Sequence, residues 1–451
     1  MTRLPGISPR ELLFRSRRRP VSPGLLSLAM FVTGGLSALA AGCSGDLLPR
    51  KRVLILVVLF SELACLLTYW TNTFQQLLVL RALQGVALGA APPLVYSCLA
   101  DMVGPGERPL ATAVMTIAAS GGALIGQVVA GYIGSTLGWR VPFLAVGAPG
   151  LLFTSALTLL ISEPRRGNVE PAILARSQST MALQEGRDEE AWAHSRAPAQ
   201  PEPAQPERAD DPGMVYAERL TLSKLLALLR VPTNLLIFAQ SVPACIPWGV
   251  MGIFAVDFVA QDRQMGVKAA VNGLLLYACG GFCGALGGNV LIAHLRARFP
   301  RHGVRALGII SGSCTLAAIG PVTYILKGAY GPDKFGTLGG MTFASGVLTY
   351  VTVPAIRNAL LNVNRPETRG SAYSMYVLLD FLGRGLGPLA VASLARQKGR
   401  QAAFADCVLL WCASGPLIMC LAWTLPRDEK KLHAHMLSAR LEPCTAAGAL
   451  G

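Results

Sequence analysis

Apolar runs close to the length of a bilayer crossing, separated by short polar breaks, fill most of the chain. A helix rising about 1.5 Å per residue crosses a hydrocarbon core about 30 Å thick in roughly 20 residues, so each run predicts a transmembrane helix. The runs fall near 23–42, 53–71, 76–100, 110–134 and 141–162, then near 234–260, 271–295, 304–326, 337–358, 371–395 and 402–425. Five spans, a break and six more, about 11 in all, predict an all-α polytopic membrane protein. The break contains EEAWAHSRAPAQPEPAQPERADDP, whose Pro, Ala and charge content cannot build a core and predicts a mostly disordered loop. The chain therefore divides into a basic arm (1–22), an N-terminal bundle (23–162), a polar cytoplasmic loop (163–231), a C-terminal bundle (232–425) and a cytoplasmic tail (426–451).

The second bundle, slid over the first, aligns at an offset of 261 residues without gaps from Gly85/Gly346 to Phe143/Phe404. Identities include Pro93/Pro354, Pro105/Pro366, Arg108/Arg369, Gly122/Gly383, Gly126/Gly387 and Gly138/Gly399. Gly, Pro and Arg hold turns and close helix contacts, which a duplicated bundle retains while its apolar filler drifts. The last three helices of each half correspond. Ahead of them the second half has three helices and the first only two, so one helix is missing from the start.

Composition agrees with a membrane protein: 52% of residues are hydrophobic and 14% charged, where soluble domains carry about 25% charged residues. The net charge of +15 sits in short clusters between spans, as orientation signals, so no nucleic-acid partner is expected. With the Arg50–Arg52 loop cytoplasmic, the basic loops around 296–305 and 365–369 and the tail share its side. Only the arm disagrees, since Arg10, Arg15, Arg17, Arg18 and Arg19 then face outward. Three explanations stay open: a first helix lost by truncation or an alternative start, an organelle transit sequence, or a re-entrant first span. Most of the eleven cysteines lie in apolar runs without metal-site spacing and read as small packing residues. No Ser-His-Asp set, metal cluster or phosphate-cradling loop stands out, so neither an enzyme nor a cofactor is expected.

Two six-helix halves joined by a long loop resemble the major facilitator superfamily. GCSGDLLPRK (42–51) resembles the signature between its second and third helices, with Gly42, Asp46, Arg50 and Lys51 in register, and departs from it at Leu47 and Pro49. RALQGVALG (81–89) resembles the fourth-helix motif with its intramembrane arginine. SEPRRGNVE, CLAD, GALGGNVLIAHLRAR and NVNRPETRGSAYSMYVLLDFLGRGLGP narrow the resemblance to the spinster-like lipid transporters, over about residues 25–425. That resemblance implies lysophospholipid or sphingoid-like solutes and proton coupling. Leu88 stands where the subfamily pattern has an acid, and the first helix, which carries the proposed coupling acid, is absent; both put coupling in doubt. It further implies that Asp46 and Arg50 form a cytoplasmic latch, the acid meeting the N-terminus of the helix that begins near Ser371.

Intramembrane charges are the first functional candidates, because an ionised group in hydrocarbon is expensive. Arg81 leads, with Gln84, Leu88 and Pro92 at helical spacing on one face that would line a central cavity. Glu62, midway along an apolar run, either exchanges a proton as substrate passes or packs at a face exposed by the lost helix. Asp380 and Arg384, four apart with the acid first, predict an ion pair in a structural or gating role. Gln127, Tyr277 and Tyr373 are further solute-binding candidates; Gly42, Asp46, Arg50, Lys51, Arg108 and Arg369 are motif residues. The expectation is a multi-pass alternating-access transporter in the plasma or an endolysosomal membrane. Its partners would be the bilayer, a small organic or lysolipid-like solute and, as an open alternative, protons. The competing expectation is a non-transporting, truncated membrane protein that regulates or sequesters a full-length relative.

Overall fold

The computed structural model describes residues 22–47, 49–103, 108–160, 228–299, 303–328, 335–364, 366–432 and 434, with some of their side chains excepted. The basic arm before Ser22, the stretch 161–227 and the tail beyond 434 lie outside them. The N-terminal half holds α1 (Ser22–Leu47), α2 (Arg50–Leu67), a 3-10 turn (Thr68–Trp70), α3 (Phe74–Met102), α4 (Arg108–Leu137) and α5 (Val141–Leu160). In the C-terminal half, α6 (Pro232–Asp257) runs into a π-helical turn (Phe258–Asp262) and is followed by α7 (Gly266–Arg298). Three crossings there are jointed: α8 (Gly303–Ala317) with α9 (Ile319–Lys327), α10 (Phe335–Tyr350) with α11 (Thr352–Val363), and, after α12 (Pro366–Lys398), the run α13 (Arg400–Val408), α14 (Trp411–Met419) and α15 (421–432). Pro354 explains the joint after Tyr350, since its ring removes an N–H and crowds the carbonyl four residues back.

Among the described residues there is no strand, and 10 spans are long and apolar enough to cross a membrane. Helix α4, with 30 residues, has the length of an eleventh. Bundle limits differ from the hydropathy reading at two places. Leu228 is buried in the core of the C-terminal half, ahead of residue 232. The last helix continues to 432, where Asp428 and Glu429 are buried although the charge run reads as a solvated tail. Asp428 Oδ2 accepts from Thr233 N (2.9 Å) and Oγ1 (2.7 Å), capping α6 where helix N–H groups lack partners. Glu429 accepts from Arg296 (2.7 Å) and from Asn362 (2.9 Å), tying the last helix to α7 and α11.

Small residues set the helix contacts, as expected where lipid removes the hydrophobic drive between helices. Gly85 lies on the backbone of Met30 and Gly89 on that of Gly34, while Thr33 and Ser37 donate to the Ala82 and Val86 carbonyls at 2.8 Å. The C-terminal half repeats the device, with Gly346 on the Tyr277 backbone and Gly280 and Gly284 on α10. Gly85 and Gly346, paired by the repeat, thus play the same part.

The two halves meet along α1 and α12. Gly24 lies against Leu389, Gly385 against Leu28 and Phe31, and Gly34 and Gly35 against Phe381 and Leu378. A second seam joins α4 to α7, through Gly131 against Val271 and a 3.0 Å hydrogen bond from Tyr132 to Asn272, both near the Arg140 end of the bundle. The repeat breaks down elsewhere on α4. Gly383 and Gly387 seat α6 through the backbones of Val242 and Ile246, but around their counterparts Gly122 and Gly126 an added Cβ meets nothing within 4 Å. Among the described residues, nothing takes beside α4 the place that α6 takes beside α12.

Candidate functional site

Helix α3 starts at a capping box, Thr73 Oγ1 accepting from Gln76 N (3.3 Å) and Gln76 Oε1 from Thr73 N (3.1 Å), which fixes Arg81 two turns inside the helix. On this helix Gly85 and Gly89 face α1, and Ala90 and Leu94 pack toward α2, so Arg81, Gln84, Leu88 and Pro92 share the remaining face. The Arg81 end of that face is covered by other elements. Arg81 donates to Gln84 (2.9 Å) and lies 4.9 Å over the Phe143 ring, and Gln84 Nε2 reaches Thr68 Oγ1 at 3.4 Å. The guanidinium is turned toward the 3-10 turn and α5, and the face opens only deeper, at Leu88, which is 40% exposed. Arg140 closes the same end by donating to the Thr71 carbonyl at 2.7 Å.

Glu62 lies on the other side of this cluster, its carboxylate against Gly150 of α5, where any Cβ would strike it. Gly147 likewise admits the Leu66 backbone. The acid is therefore held between α2 and α5, away from both seams between the halves. Gln127 is exposed on α4. Lys51 donates to the Thr158 carbonyl (3.3 Å), and Arg369 Nε to those of Leu361 (2.9 Å) and Asn364 (3.2 Å). The side chains of Gly42, Asp46, Arg50 and Arg108 lie outside the described residues, and the latch assigned to Asp46 and Arg50 with them.

Charge and aromatic surface converge instead in the C-terminal half. Arg384 Nε donates to Asp380 Oδ2 at 2.8 Å, and the other carboxylate oxygen accepts from Cys245 Sγ at 2.6 Å. Arg384 also lies 5.7 Å from the Trp248 ring. Trp248 meets Tyr350 (4.9 Å between centroids) and Tyr277 (6.1 Å) edge to face, and the two tyrosines are 5.9 Å apart. Tyr277 is steadied by a 3.0 Å hydrogen bond to Thr349. Four helices, α6, α7, α10 and α12, contribute. Glycines permit this: Gly249 admits the Arg384 backbone and Gly281 the Tyr350 ring. Tyr373 sits nearer the other end of α12, against Tyr376 at 6.2 Å. Asp380 with Arg384 is legible from spacing alone; Cys245 and Trp248 come from another helix, and no local pattern marks them as partners.

Among the described residues no group of His, Cys, Asp and Glu could hold a metal ion. A cleft of about 630 Å³ at the Arg140 end is lined by Asp262, Arg263, Lys327, Lys398 and Arg400. Arg400 there pairs with Asp257 (2.5 Å) and Asp262 (3.2 Å), so Asp257 is an ion-pair partner.

The family model of the Major Facilitator Superfamily matches residues 19–388. The uncharacterized MFS-type transporter YybF of Bacillus subtilis is 28% identical over 171 residues, 37% of this chain and 42% of that protein. The purine ribonucleoside efflux pump NepI of Escherichia coli is 36% identical over 103 residues, 23% of this chain and 26% of the pump. These matches thus span less than half of either relative. Among solved structures, a bacterial homologue of the human lysosomal transporter Spinster, in an inward-facing and unoccupied conformation, superposes with a TM-score of 0.58 at 15% identity, covering 90% of this chain and 96% of that one.

Proposed function

The chain belongs to the Major Facilitator Superfamily, and from that premise we propose that it is an alternating-access transporter of a small organic or amphipathic solute. The observation that carries this is the arrangement of the seams. Two halves touch along α1–α12 and near the Arg140 end of α4–α7, while the Arg384 cluster lies between them. If the arginine-rich loops are cytoplasmic, this arrangement is closed outside, and rocking about α1–α12 exposes the site to the two faces in turn. The finer reading is a lipid-like solute, lysophospholipid or sphingoid, supported by the spinster-like motifs; proton exchange at Glu62 is a separate proposal, supported only by the place of that acid midway along an apolar helix. The test is uptake of labelled lysophospholipid and sphingosine by the purified chain in proteoliposomes. Saturable uptake above empty vesicles is expected. A monodisperse, folded protein that moves no solute of either kind contradicts it.

A second reading has an observation of its own. The flank of α4 at Gly122 and Gly126 is open among the described residues, which favours a chain that docks on a relative through that face and does not itself transport. Co-purification with a longer relative, combined with absent transport, favours that reading.

A further inference from the structure

We infer that Arg384, Trp248, Tyr277 and Tyr350 form a recognition subsite for an organic anion with a flat apolar body, the anionic group on the guanidinium and the body against the rings. The inference rests on the transporter reading and narrows its solute to a small organic anion, in place of the lipid-like refinement. It begins with where Arg384 points. On α12, Leu378, Phe381 and Gly385 face α1 of the other half, while Gly383 and Gly387 face α6. At 100° per residue, position 384 falls between those two faces, on the side where Trp248 stands, so the side chain enters the space between the halves rather than lipid. It is 31% exposed there, in the middle of a 33-residue helix.

The guanidinium is held and yet not used up. Nε is committed to Asp380, whose second oxygen takes the Cys245 thiol, so both oxygens of the acid have partners. Among the described residues Nη1 and Nη2 donate to no oxygen, with the Cys245 thiol also beside the guanidinium, which leaves the outer edge of the fork for a second planar anion. Arg81 differs in its setting, with Nη1 on Gln84 and the guanidinium over the Phe143 ring. The Asp380–Arg384 pair is neutral overall, so selection of an anion comes from directed N–H groups rather than surplus charge. Beside the fork, three rings meeting at steep angles form an apolar corner, and a flat body gains contact on such a corner that a flexible chain gains less readily.

The test is equilibrium binding of naphthoate and of its neutral isostere naphthamide to the full chain in nanodiscs. The native protein should prefer naphthoate by at least about tenfold, the range of one charge-assisted hydrogen bond. Arg384→Gln should abolish the preference while keeping naphthamide binding, Arg384→Lys should restore part of it, and Trp248→Leu should weaken both ligands. Should Arg384→Gln alone misfold by stranding Asp380, the paired change Asp380→Asn with Arg384→Gln removes both charges and gives the same readout. A preference that survives these changes, or equal loss of both ligands in a folded Arg384→Gln protein, overturns the assignment. Lysophosphatidate bound through Arg384 with naphthoate ignored overturns the flat-body part. Binding is read without transport: naphthoate bound by a folded protein that moves neither it nor any other tested solute sinks the transporter reading alone, and transport of other solutes without naphthoate binding sinks the subsite alone.

Discussion

Asp428 shows how much a single side chain near a membrane surface can do while looking like ordinary solvated charge. It follows Arg427 and precedes Lys430 and Lys431, yet it is buried and caps α6 with two hydrogen bonds. Replacing a capping acid by Ala costs about 1–2 kcal/mol, so Asp428→Ala should lower the unfolding temperature in detergent, and Arg427→Ala should leave it unchanged. Equal behaviour of the two variants would remove the cap from the account. The sequence could not distinguish the two, because the partner, Thr233, lies 195 positions away. Asp380 with Arg384 was readable because four residues of helix bring them together on their own. Arg81 shows a different limit: spacing identified its face, but what covers that face, the Thr68 turn and Phe143, comes from other helices.

At the scale of helices, hydropathy alone locates the spans because length and apolarity are local properties. Joints and ends are harder, since α10 ends at Tyr350, four residues before Pro354, within an apolar run, and α15 prolongs the last crossing through buried acids. The clearest element-level prediction comes from the broken repeat. A Cβ at Gly387 or Gly383 runs into α6, so Gly387→Ala or Gly383→Ala should cost about 1–3 kcal/mol through forced displacement. The counterparts Gly126→Ala and Gly122→Ala should be neutral, or stabilising by up to about 1 kcal/mol, because Gly is a poor helix former and the space beside it is open. Thermal unfolding of the four variants in detergent decides it. A matched penalty at Gly126 and Gly387 would mean that α4 is covered like α12.

For the whole molecule, the duplicated Gly and Pro positions made the two-half architecture readable, while the way the halves lean on each other depends on contacts no repeat encodes. Tyr132 and Asn272 mark where α4 and α7 close the Arg140 end. Cysteines at those two positions, in a background without other cysteines, should crosslink and stop solute flux, with recovery on reduction; undiminished flux in the crosslinked protein would show that this end need not open. The rocking motion itself is best tested by pulsed electron–electron resonance with one label pair at Ser135 and Lys268, at the Arg140 end, and another at Met102 and Leu361, at the opposite end, all four being exposed. Measured in nanodiscs across pH and added solute, the two distance distributions should change reciprocally, one pair lengthening in the same fraction of molecules in which the other shortens. Two single, unchanging distances, or two that move together, would contradict alternating access in this chain.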